Sequence, residues 1–209
     1  TLSAPILGKH MVANAALAAL MLISSGVEID ALKAAMGSGP EGVPVYIPGR
    51  VEKVSQGPGP QVYVDAGRSA DAYEHTLETL RRLTSGAVVM VCGTSGNRDA
   101  TKRPIMGKVA ATLADVVIVT DDDPRKEDPA VIRAGLLEGA RSVEGAKVHE
   151  IADPSEAIRF AVSLAGPGDT VVWCGPGSQS YRDIQGVKVP YSARDQARSA
   201  LREAGWTAS

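Results

Sequence analysis

The sequence predicts an α/β fold, a doubly wound and mostly parallel sheet with helices on both faces, preceded by a short helical segment. Short runs apolar at every position read as strands buried on both faces. Helical patterns separate these runs, so that strand and helix alternate. Aromatic residues make up only 4% of the chain, leaving Val, Ile, Leu and Ala to build the core, as parallel sheets covered by helices do.

Residues 12–20 form a strong helix former, and Gly26 ends that helix before a second one from about Glu28 to Met36. The stretch from Gly37 to Pro60 is rich in Gly and Pro and reads as linker and turns. A boundary is therefore expected near Pro44 to Pro48, with residues 1–47 a helical piece of another domain plus linker and residues 48–209 the α/β domain. Strands are expected at 61–65, 88–91, 116–119 and 171–174, with a weaker one from Lys147 to Ile151. Helices are expected at about 70–83, 103–113, 129–140 and 154–164. Asp128-Pro129 and Asp153-Pro154 each place an N-cap acceptor before a proline at the first helical position.

Composition narrows the functional classes. The 22 Lys and Arg against 24 Asp and Glu give a net charge of -2, without the basic footprint of a nucleic-acid binder. Two cysteines in 209 residues cannot build a disulfide framework. No charged-then-apolar leader opens the sequence, and no apolar run approaches the roughly 20 residues of a membrane-spanning helix. The expectation is a soluble, cytoplasmic protein with no nucleic-acid or membrane partner.

Ligands of open parallel sheets bind beyond the carboxyl ends of the strands, which selects residues 65–69, 93–99, 120–125 and 175–179. In Gly93-Thr94-Ser95-Gly96-Asn97-Arg98-Asp99, glycines let backbone N–H groups approach an anion that Arg98 could clamp. The same glycines would also serve a tight strand-to-helix turn. This segment is neither a G-x-G-x-x-G fingerprint nor a Walker A loop, which argues against a dinucleotide oxidoreductase. Asp121-Asp122-Asp123 with Arg125 could bind the amine and carboxylate of an amino acid, with Mg²⁺ binding or helix capping as alternatives. Cys92 and Cys174 close buried strands and read as buried thiols. His10, His75 and His149 make neither a zinc set nor a triad.

Four stretches carry more than composition: Asn14 within Val12-Ala13-Asn14-Ala15-Ala16-Leu17-Ala18-Ala19, then Gly49-Arg50-Val51-Glu52, then Arg98-Asp99 followed by Lys102-Arg103-Pro104-Ile105-Met106-Gly107, then Asp122-Asp123-Pro124-Arg125. In order and spacing they resemble the N-V-x-N-A-L-A-A, G-R-x-E, D-R-D…K-R-P-L-M-G and D-N-P-R motifs of the Mur ligases. These are ATP-dependent enzymes that add amino acids to the peptidoglycan precursor. The resemblance is greatest to the UDP-N-acetylmuramoyl-tripeptide synthetases, on the branch that adds meso-diaminopimelate. It implies that the chain is the helical end of a central ATPase domain followed by a Rossmann-like C-terminal domain. Asn14, Arg50 and Asp65 would meet a nucleotide's adenine, phosphate and ribose, to which an amide, a guanidinium and a carboxylate are suited. Arg98, Asp122, Asp123, Arg125, Gly175 and Gln179 would form the amino-acid pocket.

ATP and Mg²⁺ are implied for the full enzyme, with the Walker A loop, the Mg²⁺ ligands and a carbamylated lysine outside this chain. The implied partners are an amino acid, a nucleotide and a Walker-A-bearing central domain in cis or in trans. ATP would phosphorylate a nucleotide-peptide carboxylate, the amino acid's amine would attack the acyl phosphate, and phosphate would leave from a tetrahedral intermediate. This chain would supply orientation and closure, with no catalytic residue or metal ligand of its own, and alone would form no peptide bond. Departures from the pattern fall in the ligand loops: D-Y-A-H-T-P is Asp65-Ala66-Gly67-Arg68-Ser69-Ala70, K-G-H-E is Pro176-Gly177-Ser178-Gln179, and the asparagine of D-N-P-R is Asp123. They redistribute charge in the pocket and imply either a different amino acid or, alternatively, a degenerate, non-catalytic binding domain.

Overall fold

A computed structural model describes residues 8–35 and 46–209. Met36 and residues 37–45, including Pro44, lie outside the described residues. The chain divides into two compact units, Thr1–Ile47 and Pro48–Ser209. In the first, α1 (Lys9–Ser24) is followed by α2 (Ile29–Ala35), with Gly26 at a φ of 97° turning the chain between them. Among the described residues no helix is long and apolar enough to cross a membrane.

The second unit is the α/β body. Its parallel strands are β3 (Gln61–Asp65), β4 (Val88–Cys92), β5 (Val116–Val119), β6 (Lys147–Glu150) and β7 (Thr170–Cys174). They alternate with α3 (Ala70–Arg81), α4 (Lys102–Leu113), α5 (Pro129–Arg141) and α6 (Pro154–Ser163). With the short β1 (Glu52–Lys53), antiparallel to β3, they form a six-stranded sheet ordered β1-β3-β7-β4-β5-β6. The last parallel strand in sequence thus lies between the first two. That insertion makes the carboxyl ends of β3, β7, β4 and β5 successive neighbours, and the four ligand loops selected from sequence emerge side by side.

Burial follows the apolar runs. β4 and β7 are buried at every position, and each Val or Leu so removed from water contributes roughly 1.5–3 kcal/mol. On one face Val62, Val64, Val89, Val91, Ile118, Val171 and Trp173 pack with Ala157, Ile158, Ala161 and Val162 of α6 and with Ala193, Ala197, Ala200 and Leu201. The period-2 alternation of strands gives Tyr63, Met90, Val117 and Val172 to the other face, under α3, α4 and α5. There α4 and α5 approach backbone to backbone: a Cβ on Gly107 would strike the Leu136 carbonyl, and one on Gly139 the Pro104 carbonyl. Asp128 and Asp153 cap α5 and α6 through side-chain acceptors, as their position before proline predicts.

The structure corrects the sequence reading in two places. The Lys147–Glu150 strand is mostly exposed, because β6 is the sheet edge. The C-terminal elements were not anticipated: the hairpin β8 (Tyr181–Ile184) and β9 (Val187–Pro190), then α7 (Ala193–Glu203), and β10 (Thr207–Ala208) paired with β2 (Ser55–Gln56). Helix α7 supplies the alanine and leucine face that covers Val62 and Val64.

Candidate functional site

Asp65, the last residue of β3, organises one side of the site. It is 4% exposed; its Oδ1 accepts the Val51 N–H at 2.9 Å and its Oδ2 the Gly67 N–H at 2.7 Å. Its carbonyl accepts the N–H groups of Gly175 at 2.9 Å and Gly177 at 3.2 Å. One residue therefore ties together the 49–52 turn, its own loop and the loop after β7. The turn is left-handed at Gly49 (φ 66°) and Val51 (φ 46°), a conformation that costs a β-branched residue about 1–2 kcal/mol. Gly49 also lies against the Gly177–Ser178 backbone so closely that no Cβ would fit. Its N–H donates to Glu52 Oε2 at 2.7 Å, and Arg194 and Arg198 flank that carboxylate at 3.5 and 3.6 Å. Arg50 stands exposed between Gly49 and the strained Val51.

The acidic run after β5 is divided among arginines. Asp121 pairs with Arg133 and lies 3.9 Å from Arg182. Asp122 and Asp123 are buried, at 7% and 3% exposure, and both face Arg68. Arg68 forks onto Asp122 through Nε (2.7 Å) and Nη2 (3.3 Å), and Nη2 also donates to Asp123 Oδ2 at 3.2 Å and to Gln179 Oε1. Gln179 Nε2 donates to the same Asp123 oxygen at 3.2 Å, closing a ring. Burial pushes the Asp122 carboxyl above the usual carboxylate range, aided by Asp123 and opposed by Arg68. Burial works against the Arg68 charge, but the two carboxylates outweigh it and raise its pKa. Gly175, at a φ of 130°, comes close enough to Asp122 that a Cβ would lie 3.3 Å from Oδ2.

The hairpin fixes this loop from outside. Arg182 Nε donates to the Asp122 carbonyl at 2.7 Å, and the Asp183 N–H donates to Asp123 Oδ1 at 3.2 Å. Arg125, in the left-handed region at φ 55°, donates its N–H to the Asp183 carbonyl at 2.8 Å, and its carbonyl accepts from the Gln185 N–H. The Arg125 side chain is half-buried.

The loop after β4 docks against the same segment. The Gly96 N–H donates to the Asp123 carbonyl at 2.9 Å, and the Tyr73 hydroxyl donates to the Gly93 carbonyl at 3.1 Å. The Thr94 hydroxyl is buried without a hydrogen-bond partner. Arg98 is exposed and near Lys102, whose Nζ donates to the Arg68 carbonyl at 2.9 Å. Burial lowers the Lys102 pKa, and Arg68, Arg98 and Arg103 lower it further against Asp99. Cys92 and Cys174 are fully buried, and burial pushes the Cys92 thiol up to about 12 and the Cys174 thiol well above its ordinary value. Neither is a nucleophile at neutral pH.

Of the residues singled out from sequence, Asp65, Asp122, Asp123, Gly175 and Gln179 meet in one interlocked set, and Arg125 joins through its backbone. Arg50 lies on the turn that Asp65 holds, and Arg98 on the cationic rim beside Lys102. Asn14 is an exposed residue of α1, in the other unit. Among the described residues no group of three His, Cys, Asp or Glu could hold a metal ion; in the acidic run each carboxylate is already met by a guanidinium. Sequence reasoning missed Arg68 and Arg182 as site residues. The readable signal for Arg68 was a lone cation in one strand-end loop facing an acidic run in another.

Residues 49–177 match the family model described as Mur ligase, glutamate ligase domain. The chain is 52% identical over 205 residues to the UDP-N-acetylmuramyl-tripeptide synthetase of Leifsonia xyli subsp. xyli, covering 98% of this chain and 40% of that protein. It is 42% identical to the UDP-N-acetylmuramoyl-L-alanyl-D-glutamate--2,6-diaminopimelate ligase of Chelativorans sp., covering 95% of this chain and 39% of that one. A solved structure of a UDP-N-acetylmuramoyl-L-alanyl-D-glutamate--2,6-diaminopimelate ligase superposes with a TM-score of 0.71 at 34% identity, over 99% of this chain and 41% of the other. The chain thus spans about 40% of the length of the relatives it matches.

Proposed function

The chain belongs to the Mur ligase family, and from that premise we propose that its Pro48–Ser209 unit is the substrate-holding, closing domain of a cytoplasmic, ATP-dependent amide-bond ligase of cell-wall synthesis. The observation that carries the reading is the convergence of four strand-end loops on Asp65 and on the Asp122–Asp123–Gln179 set. A mere fold scaffold has no need to bury two adjacent carboxylates at a loop junction, since each loses its hydration there.

The donor chemistry fits a nucleotide at the 49–52 turn. Arg50 is exposed there on a backbone held by Asp65 and Glu52, so its guanidinium extends from a fixed point and is suited to a phosphate. Both Asp65 oxygens already accept backbone N–H groups, which makes Asp65 the residue that positions Arg50. When bound, ATP supplies the phosphoryl group that activates a substrate carboxylate, and Mg²⁺ neutralises its phosphates. Arg125 and Arg98 present guanidinium groups suited to the carboxylate of the incoming amino acid. The loop set orients that amino acid and excludes water, which is a contribution of positioning.

The test is ATP turnover with an amino-acid panel and a nucleotide-linked peptide acceptor, with and without a Walker-A-bearing domain supplied in cis or in trans. Turnover is expected only when that domain is present, and it should fall at least about tenfold in Arg125→Ala, the loss of one charge-assisted contact. No turnover in the complete mixture with any amino acid would remove the reading.

A further inference from the structure

The Asp122–Asp123 pair offers the negative charge that an ammonium on a substrate side chain would seek, yet the chain supplies a cation of its own. Arg68 takes both oxygens of Asp122, one of Asp123 and the amide oxygen of Gln179. The other Asp123 oxygen accepts the Asp183 N–H. The pair is satisfied from three directions, and its carboxylate side chains are each only 5% exposed. Arg182 adds a second guanidinium at the Asp122 carbonyl, and Lys102 a third cation at the Arg68 carbonyl. An ammonium entering here would have to displace a forked guanidinium and would meet like charge on the way in.

We propose that Arg68 fills the cation position of the amino-acid pocket, so that the pocket takes an amino acid with an uncharged side chain and turns away diamino acids. The inference rests on the ligase reading above and names Arg68 as the residue that sets its substrate class. Arg68 does so by occupancy: its guanidinium holds Asp122, Asp123 and Gln179 together.

Pairs that share a carbon chain and differ only in the terminal ammonium report on the charge: lysine against norleucine, and ornithine against norvaline. Binding of all four to the 209-residue chain is measured by calorimetry and by the shift in melting temperature, for wild type, Arg68→Ala, Arg68→Gln and Arg68→Lys, with circular dichroism confirming each fold. Wild type and Arg68→Lys are expected to bind norleucine and norvaline at least about tenfold more tightly than the diamino partners, as like-charge repulsion in a partly buried site requires. Arg68→Ala should reverse the order, because two buried carboxylates then lose the guanidinium that pairs with both. If that variant does not fold, the larger Arg68→Gln must show the reversal. Equal or tighter binding of lysine and ornithine by wild type, or an order unchanged in the neutral variants, would overturn the role of Arg68 while leaving the ligase reading in place. Absence of binding by all four amino acids in every protein would overturn the role of Arg68, while the turnover assay of the complete mixture decides the ligase reading.

Discussion

Arg103 is an arginine at 3% exposure, and its survival there depends on one partner. Glu127 meets it with both oxygens, at 2.6 and 2.8 Å, and also accepts the Asn97 N–H at 3.0 Å. The carboxylate thus links the loops after β4 and β5 while neutralising the buried guanidinium. The Arg103 hydrogen bond holds the Glu127 carboxyl below its ordinary value of 4.5, with burial opposing and the Asn97 N–H assisting. A carboxylate depressed in the folded state adds stability that is present above its unfolded pKa and is lost as pH falls through the folded one. Glu127→Gln should therefore cost about 1.5–3 kcal/mol at pH 7, the range for a hydrogen bond to a charged group. The difference from wild type should shrink steadily below about pH 4.5. Urea unfolding at a series of pH values reads both; a difference independent of pH would show that the charge of Glu127 does not carry the effect.

At the level of elements, the β8–β9 hairpin is the piece whose local chemistry most directly affects the site, since it holds residues 122–125 from outside. Its two-residue turn, Gln185 (φ 54°) and Gly186 (φ 81°), has both central residues left-handed, as type I′ turns do. Glycine suits the second position, while asparagine is preferred to glutamine at the first because its short side chain tolerates that region. Gln185→Asn is expected to stabilise the chain by a few tenths to about 1 kcal/mol, and Gly186→Ala to destabilise it by about 1 kcal/mol. A Cβ at Gly186 would meet nothing nearer than the Lys126 Cε at 4.0 Å, so backbone strain alone sets that cost. Thermal melts of the two variants check the signs. The turn was readable, since a Gln-Gly pair stands between Tyr181-Arg182-Asp183-Ile184 and Val187-Lys188-Val189-Pro190. Gln-Gly is nonetheless not one of the strong hairpin signals, and neither strand is fully buried, so the local pattern does not single it out.

For the molecule as a whole, every strand of the main sheet and both helix layers lie within Pro48–Ser209. That unit contains its own core on each face, so residues 48–209 alone should unfold in one cooperative transition. Calorimetry on the 48–209 chain tests this; a broad transition without native near-ultraviolet dichroism would show that residues 1–47 complete its core. The doubly wound fold was legible in the sequence because its signals are local. Val88–Cys92 and Thr170–Cys174 are apolar nearly throughout, and Asp128 and Asp153 carry caps that need only the next three residues. The loops of the site were legible too, because strand ends are where such sheets bind. Their partnerships were not: Arg68 is 54 residues from Asp122 and 111 from Gln179. Pairing over such distances depends on strand order, and only the insertion of β7 between β3 and β4 puts those loops side by side. The sequence by itself determined which segments become strands, helices and ligand loops, through burial and capping that act over a few residues. The tertiary structure decided which charge neutralises which, because Coulomb attraction between loops exists only once the sheet has set their separation.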